Sequence, residues 1–237
     1  MFTYFIVDDL PREIGAVYLF DNEDARHAST VLRTQVGEEF ILTDGAGRWA
    51  RARALEVSKK SITCSIEEIG FDKPLTTHFT VVQALPKSDR IKESLEMLTE
   101  GGVDRIIPWQ AERSIGKGEK LDKWKSTLRE STKQSRRTYI PEITELAKLQ
   151  DVVKVLSDFD VAIIFHQDTD KKLSDVIPTS AKKVCIIIGP EGGLTDVEID
   201  EFTKAGAQLA LMGRPVLRSA HAGLAALSAV NALLRVW

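Results

Sequence analysis

The sequence predicts an α/β protein in two parts: a small antiparallel β unit, read as a barrel, and then a mostly parallel sheet wound with helices. Three observations predict it. Strand-like runs divided by turn residues occupy Glu39 to Ile69. From Thr77 onward, short apolar runs alternate with helix-period segments, the pattern of parallel strands joined by right-handed crossovers. Between them, Phe71-Asp72-Lys73-Pro74 combines charge and proline as a linker does, which puts the boundary between residues 1–72 and 73–237. At 237 residues and 43% hydrophobic, the chain can bury a substantial core in one or two domains.

Taken in order, Phe2 to Val7 reads as a strand. Asn22 can cap a helix running to about Arg33, with Ala25, Ala28, Val31 and Leu32 on its buried side. The period then shortens to that of strands over Glu39–Thr43, Trp49–Val57 and Ser61–Ile69, separated by Asp44-Gly45-Ala46-Gly47 and Ser58-Lys59-Lys60. Within the second run Arg48, Arg51 and Arg53 put at least two arginines on one strand face, where they either meet phosphates or keep an edge soluble. Thr77 to Leu85 is a strand ending at Pro86-Lys87. Ser88 can cap the next helix, whose face is Ile91, Leu95 and Leu98 and whose stop is Gly101-Gly102. Arg105–Pro108 returns as strand, and Trp124 and Leu128 lie four apart on a basic helix that stops before Pro141. Val161–Phe165, Val184–Ile188 and Leu209–Met212 complete five strands. The helix from about Ser219 to Val236 carries Leu224, Leu227, Leu233 and Leu234 among alanines, enough apolar surface to pack inside the domain or against a second copy.

The chemistry-bearing stretches are KVCIIIGPEGG (183–193) and LALMGRPVLRSAHAG (209–223), two buried strands that each break at glycine and proline. Ligands of open α/β sheets bind beyond the carboxyl ends of strands. Gly189, Gly192, Gly193 and Gly213 therefore offer bare main chain to a flat ligand, unless they are ordinary strand-to-helix turns. Neither dinucleotide nor P-loop spacing is present, so pyrophosphate is not the expected ligand. Thr195 and Glu198 form a capping box opening a helix with Ile199, Phe202 and Ala205 inward and Gly206 as its stop.

Charge is −3 overall but uneven: residues 112–137 hold nine basic and four acidic side chains, a net +5 that leaves −8 elsewhere. This fits either RNA contact or a solvated helix face. Cys64 and Cys185 have no metal or redox spacing, and the four histidines form no ligand pair, so no metal is expected. Asp8 and Asp9 argue against a signal peptide, and no run approaches the ~18 apolar residues of a membrane span, so the expected location is cytoplasmic.

Five motifs in order, Leu85-Pro86-Lys87, Thr99-Glu100-Gly101-Gly102-Val103, Lys133-Gln134-Ser135-Arg136-Arg137 with Pro141, Gly189-Pro190-Glu191-Gly192-Gly193 and Val216-Leu217-Arg218, resemble the RsmE family. These are 16S ribosomal RNA (uracil-N3)-methyltransferases of the SPOUT superfamily. The resemblance spans the chain, since His27-Ala28-Ser29-Thr30-Val31-Leu32-Arg33 and Asp44-Gly45-Ala46-Gly47 are similar to the family's barrel. It implies a PUA-like RNA-binding β-barrel followed by a SPOUT α/β domain with a C-terminal trefoil knot. It further implies S-adenosylmethionine held by His166, Ile188, Gly189, Pro190, Gly192, Gly193, Leu211, Met212, Gly213, Val216 and Leu217. The implied substrate is a uridine of 16S rRNA in the small ribosomal subunit, and the implied assembly is a homodimer. Arg218 then either stabilises charge on the uracil oxygens or makes a phosphate or structural contact, and Glu191 accepts the N3 proton, binds the cofactor's amino group or serves a helix N-terminus. His27, Arg33, Arg48, Arg51, Lys87, Arg136 and Arg137 are the RNA-binding candidates. Many members continue Val-Leu-Arg with Thr-Glu-Thr or Thr-Ser-Thr where this chain has Ser219-Ala220-His221. Other readings are a related methyltransferase acting on tRNA or another rRNA site, and a non-enzymatic RNA-binding protein.

Overall fold

The computed structural model describes residues 2–87, 90–118 and 120–237, so the Ser88 cap lies outside the described residues. The chain divides into two compact units. One comprises residues up to Pro74 with Arg129–Ile140, and the other Leu75–Leu128 with Pro141–Trp237.

The first unit is a five-stranded sheet in the order β1-β3-β4-β5-β2, built from β1 (Thr3–Ile6), β2 (Val17–Phe20), β3 (Glu39–Thr43), β4 (Arg48–Val57) and β5 (Ile62–Phe71). It is not wholly antiparallel as expected, because β1 runs parallel to β3. β2 went unpredicted, being four residues long with Val17 and Leu19 exposed. Alternation on β4 turns Ala50, Ala52 and Ala54 inward, and these small side chains leave the volume that Phe5, Phe20 and Phe40 fill with ring centroids 5.2–6.0 Å apart. Asn22 caps α1 (Glu23–His27), its Oδ1 accepting from Ala25 N at 3.2 Å. The chain then widens into a π turn over Ala28–Leu32. That change of period explains why Val31 and Leu32, expected on the buried side, are 62% and 47% exposed.

Residues 129–140, the end of α3 (Leu121–Gln134) and the segment after it, group with this unit, whereas the sequence reading put them beyond the 72/73 boundary. Arg129 donates to Ile6 O at 2.7 Å, and Lys133 pairs with Asp24. Gly47 N donates to Thr138 O, and Ile140 N to Gly45 O, each at 2.9 Å. Gly47 is required twice over, by a φ of +97° and because a Cβ would overlap the Tyr139 hydroxyl.

The second unit holds a six-stranded, all-parallel sheet in the order β11-β9-β10-β6-β7-β8. Its strands are β6 (His78–Ala84), β7 (Arg105–Trp109), β8 (Glu142–Ile143), β9 (Val161–Phe165), β10 (Lys183–Ile188) and β11 (Gln208–Ala210). β8, two residues long, is the strand beyond the five expected. β10 is buried from Val184 to Ile188 between β6 and β9, which is why it reads as an unbroken apolar run. On one side α2 (Ile91–Glu100) packs on α7 (Ser219–Leu233), with Ile91, Leu95 and Leu98 buried as expected. The approach is close: a Cβ at Gly101 would lie 2.7 Å from Leu224 Cδ1, and one at Gly223 would lie 2.9 Å from Leu98 Cδ2. α7 thus packs within its own unit, leaving Leu233 partly exposed. A second cluster gathers Trp109 and Phe202 edge to face at 5.4 Å, with α4 (Leu149–Val155) and α6 (Asp196–Lys204). A short α5 (Leu173–Val176) precedes β10. Because every strand runs the same way, β9, β10 and β11 end at one edge of the sheet.

Candidate functional site

At that edge the segments following β9, β10 and β11 enclose a pocket of about 730 Å³, within the range that holds a cofactor-sized molecule. His166, Ile188, Gly189, Pro190, Gly192, Gly193, Leu211, Met212, Gly213, Val216 and Leu217 all line it, and so do Arg218 and Glu191. Phe165, Gln167, Leu194, Arg214, Pro215, Ser219 and Ala222 join them. Of these, Arg214, Pro215, Ser219 and Ala222 fall within the 209–223 stretch that the sequence singles out, whereas Phe165, Gln167 and Leu194 are additions, each adjoining a residue already expected at the site.

The 188–194 loop is held by donors from the protein behind it. Ile188 O accepts from Trp109 Nε1 at 3.4 Å and Gly189 O from Ser219 Oγ at 2.7 Å. Pro190 O accepts from Gly193 N at 2.9 Å, closing a turn whose last residue has a φ of +73°. Arg113 donates to Gly192 O at 3.2 Å and to Leu194 O at 3.4 Å, and a Cβ on Gly192 would stand 2.9 Å from Arg113 Cβ. Arg113, counted with the basic segment in the sequence, therefore pins the glycine loop. Its neighbour Glu112 is fixed in turn, its N–H donating to Glu198 Oε1 at 2.8 Å. The predicted capping box is present: Glu198 Oε2 accepts from Thr195 N at 2.8 Å, and Thr195 Oγ1 from Glu198 N at 3.3 Å.

The polar side chains of the pocket divide the chemistry. Among the described lining residues Glu191 is the one carboxylate, and Arg214 and Arg218 are the guanidiniums, all three exposed. Glu191 Oε1 accepts from Lys87 N at 3.1 Å, so the main chain of Lys87 meets the pocket wall while its side chain is exposed. His166 Nδ1 lies 3.2 Å from Asp168 N, in position to accept from it. His221 is not among the lining residues; its Nε2 lies 3.4 Å from Glu93 Oε1, which Arg90 also contacts through the other oxygen, at 2.9 Å.

Of the other RNA candidates, His27, Arg33, Arg48, Arg51, Arg136 and Arg137 all belong to the first unit. His27 closes α1, Arg33 ends the π turn at a φ of +59°, and Arg136 follows α3 at a φ of +57°. Arg48 adjoins Gly47, which is bonded to Thr138 beside Arg137. The 129–140 segment thus connects these basic positions, through Lys133–Asp24 at α1 and Thr138 at the β3–β4 turn. Arg51, read either as a phosphate contact or as a charge keeping the edge soluble, donates its guanidinium to Glu39 at 3.1 Å and Glu68 at 3.2 Å. Arg53 also pairs with Glu39. Among the described residues no group of three or more histidine, cysteine or acidic side chains is arranged to hold a metal ion, and no helix is long and apolar enough to cross a membrane.

An RNA methyltransferase domain model matches residues 73–231, and an RNA methyltransferase PUA domain model matches residues 20–67. The chain is 33% identical to a ribosomal RNA small subunit methyltransferase E from Mycobacterium bovis, over 98% of this chain and 92% of that one. It is 27% identical to the protein of that name from Bacillus subtilis, over 92% and 91%. In structure it is similar to the Neisseria gonorrhoeae ribosomal RNA small subunit methyltransferase E bound to S-adenosyl methionine, with a TM-score of 0.89, 25% identity and 98% of both chains covered. A putative methyltransferase from Legionella pneumophila, in complex with the same cofactor, gives a TM-score of 0.88 at 26% identity, again over 98% of both chains.

Proposed function

The chain belongs to the ribosomal RNA small subunit methyltransferase E family, and from that membership we propose that it transfers a methyl group from S-adenosylmethionine to N3 of a uridine in the 16S rRNA of the small ribosomal subunit. The observation that carries this reading is that one pocket is lined by every residue the family resemblance assigned to the cofactor. The pocket suits that molecule. Its walls combine apolar side chains, Ile188, Leu194, Leu211, Met212, Val216 and Leu217, with main chain left bare at Gly189, Gly192, Gly193 and Gly213. At Gly213 a Cβ would meet nothing nearer than Pro215 Cδ at 3.9 Å, so the missing side chain leaves room for a ligand.

When bound, S-adenosylmethionine supplies a methyl group already made electrophilic by its sulfonium. The protein then has to align the uracil nitrogen, accept its proton and stabilise the charge left behind. We assign the last role to Arg218, which lines the pocket and is exposed to an incoming base. Proton removal falls to Glu191, the one carboxylate among the described lining residues. His27, Arg33, Arg48, Arg136 and Arg137 of the first unit grip the RNA backbone, with Lys87 as a further contact from the second. The same proposal includes a division near residues 72/73, a C-terminal trefoil knot and a homodimer. Val216, which lines the pocket and is 80% exposed, supports a second copy at that wall.

The test is methyl transfer from labelled S-adenosylmethionine to small subunits lacking the modification, with mass-spectrometric mapping of the product nucleotide. Incorporation at uridine N3 is expected, and Arg218→Ala is expected to lower kcat by about 10²–10³ while cofactor binding persists. Folded, cofactor-binding protein that methylates no small subunit would overturn the assignment. Incorporation into tRNA or at another rRNA position would redirect it.

A further inference from the structure

Among the donors that hold the glycine loop, Ser219 differs in being itself held from behind. Its Oγ donates to Gly189 O at 2.7 Å and accepts from Gln83 Nε2 at 3.2 Å. Gln83 Nε2 also lies 3.0 Å from Ala84 O, which fixes the amide on its own strand. Both side chains are enclosed, Gln83 being 3% and Ser219 5% exposed, so bulk water cannot substitute for either bond. The seat for the amide exists because residue 223 is glycine: a Cβ there would stand 2.9 Å from Gln83 Oε1. Among the described residues that oxygen meets no hydrogen-bond partner, and it is the other end of the amide that reaches Ser219.

The peptide being held is unusual in its options. Gly189 precedes Pro190, so the group between them has no N–H, and its carbonyl is the only point through which hydrogen bonding can fix its plane. Glycine supplies no side chain to fix it otherwise. In sheet register Gln83 stands opposite Ile188, one residue before that peptide. The amide is therefore anchored on the strand neighbouring the one from which the loop departs.

We infer that Gln83 and Ser219 are positioning residues that set the Gly189–Pro190 peptide for cofactor binding, acting through the main chain without touching the reacting atoms. The inference rests on the reading that this pocket takes S-adenosylmethionine. It is tested by calorimetric titration and steady-state methyl transfer on the full-length protein and three variants: Ser219→Ala, Gln83→Met and Ser219→Thr. Ser219→Ala removes both bonds of the hydroxyl and Gln83→Met the one that holds it from behind, and each is expected to weaken cofactor binding about tenfold. Each should raise KM for the cofactor with kcat at saturation and KM for rRNA little changed, while Ser219→Thr restores affinity. If the wild type binds cofactor and both Ser219→Ala and Gln83→Met bind it within about twofold of wild type, the positioning role is wrong. A lower melting temperature with unchanged affinity would overturn it as well, because the pair would then only pack the core. Should Ser219→Ala fail to fold, Gln83→Met decides. A wild type that binds no cofactor overturns the reading of the pocket itself, and this inference with it.

Discussion

Glu198 is the residue at which the stability of the second unit and the shape of its pocket meet, and replacing it by alanine tests that link. It is 3% exposed and accepts three hydrogen bonds: Thr195 N at 2.8 Å, Thr195 Oγ1 at 3.1 Å and Glu112 N at 2.8 Å. In Glu198→Ala the hydroxyl can turn elsewhere, but the buried Thr195 N–H loses its acceptor, at roughly 1–3 kcal/mol, while the Glu112 N–H, on an exposed residue, loses less because water reaches it. Together the two set an expected loss of about 3 kcal/mol, with the helix cap already included in the Thr195 contribution. For a domain of this size that corresponds to roughly 6–12 °C in melting temperature, read by circular dichroism. Glu198→Gln should fall between the variants, since its amide oxygen still serves one N–H while its NH2 group opposes the other. Because Glu112 adjoins Arg113, which pins Gly192 and Leu194, Glu198→Ala should also bind S-adenosylmethionine more weakly. A destabilisation under about 1 kcal/mol in Glu198→Ala would mean that these bonds are replaceable, and the link from α6 to the pocket would fail.

Two further outcomes follow from titratable groups. Asp160 Oδ2 accepts from Lys182 N at 2.8 Å and Lys183 N at 2.9 Å, and these bonds, with the two lysine charges in support, hold its carboxyl below the ordinary carboxylate range. A depressed carboxylate stabilises the fold above its unfolded value, near pH 4, and the contribution disappears as pH falls through the lower folded value. The stability difference between wild type and Asp160→Asn, followed by urea unfolding, should therefore be constant at neutral pH and vanish in acid; a difference that grows in acid would contradict the assignment. Burial pushes the Cys64 thiol up to about 12 and raises that of Cys185 as well, with Arg105 opposing the rise at the latter. Neither should react with an aromatic disulfide reagent at pH 8 in native protein, whereas both should in denaturant; rapid native labelling would show that the strands open.

How far the sequence could be read depended on the distance over which each interaction acts. Thr195 and Glu198 lie three residues apart, and the capping box they form is local chemistry that any chain with that spacing can adopt. Likewise the run from Val184 to Ile188 is apolar because both faces of a central parallel strand are covered, and that pattern survives without knowledge of its neighbours. The 129–140 segment is the opposite case. Its partners Ile6, Asp24, Gly45 and Gly47 stand some 90 to 120 residues away, and nothing in a basic helix announces which carboxylate its lysine will meet. The outward turn of Val31 and Leu32 was hidden for another reason: an α-helical period was applied where the chain adopts a π turn.

The pocket combines both kinds of information, and this decides which of its residues could be named in advance. Glycine and proline report backbone requirements at their own positions, so the loop at 189–193 and the break at Gly213 were visible one residue at a time. The residues that give this backbone its shape are Trp109, Arg113, Ser219 and Gln83, each reaching a loop carbonyl, or the hydroxyl that holds one, from a distant part of the chain. Arg113 falls in the basic segment 112–137, yet its guanidinium is used on Gly192 and Leu194. A backbone site depends on donors that hold its main chain, and the identity of those donors is fixed by sheet order, here by β6 lying beside β10 and by α7 beginning over the Gly189 carbonyl. For this family of pockets, substitutions behind the loop should therefore affect cofactor affinity as strongly as those that line it.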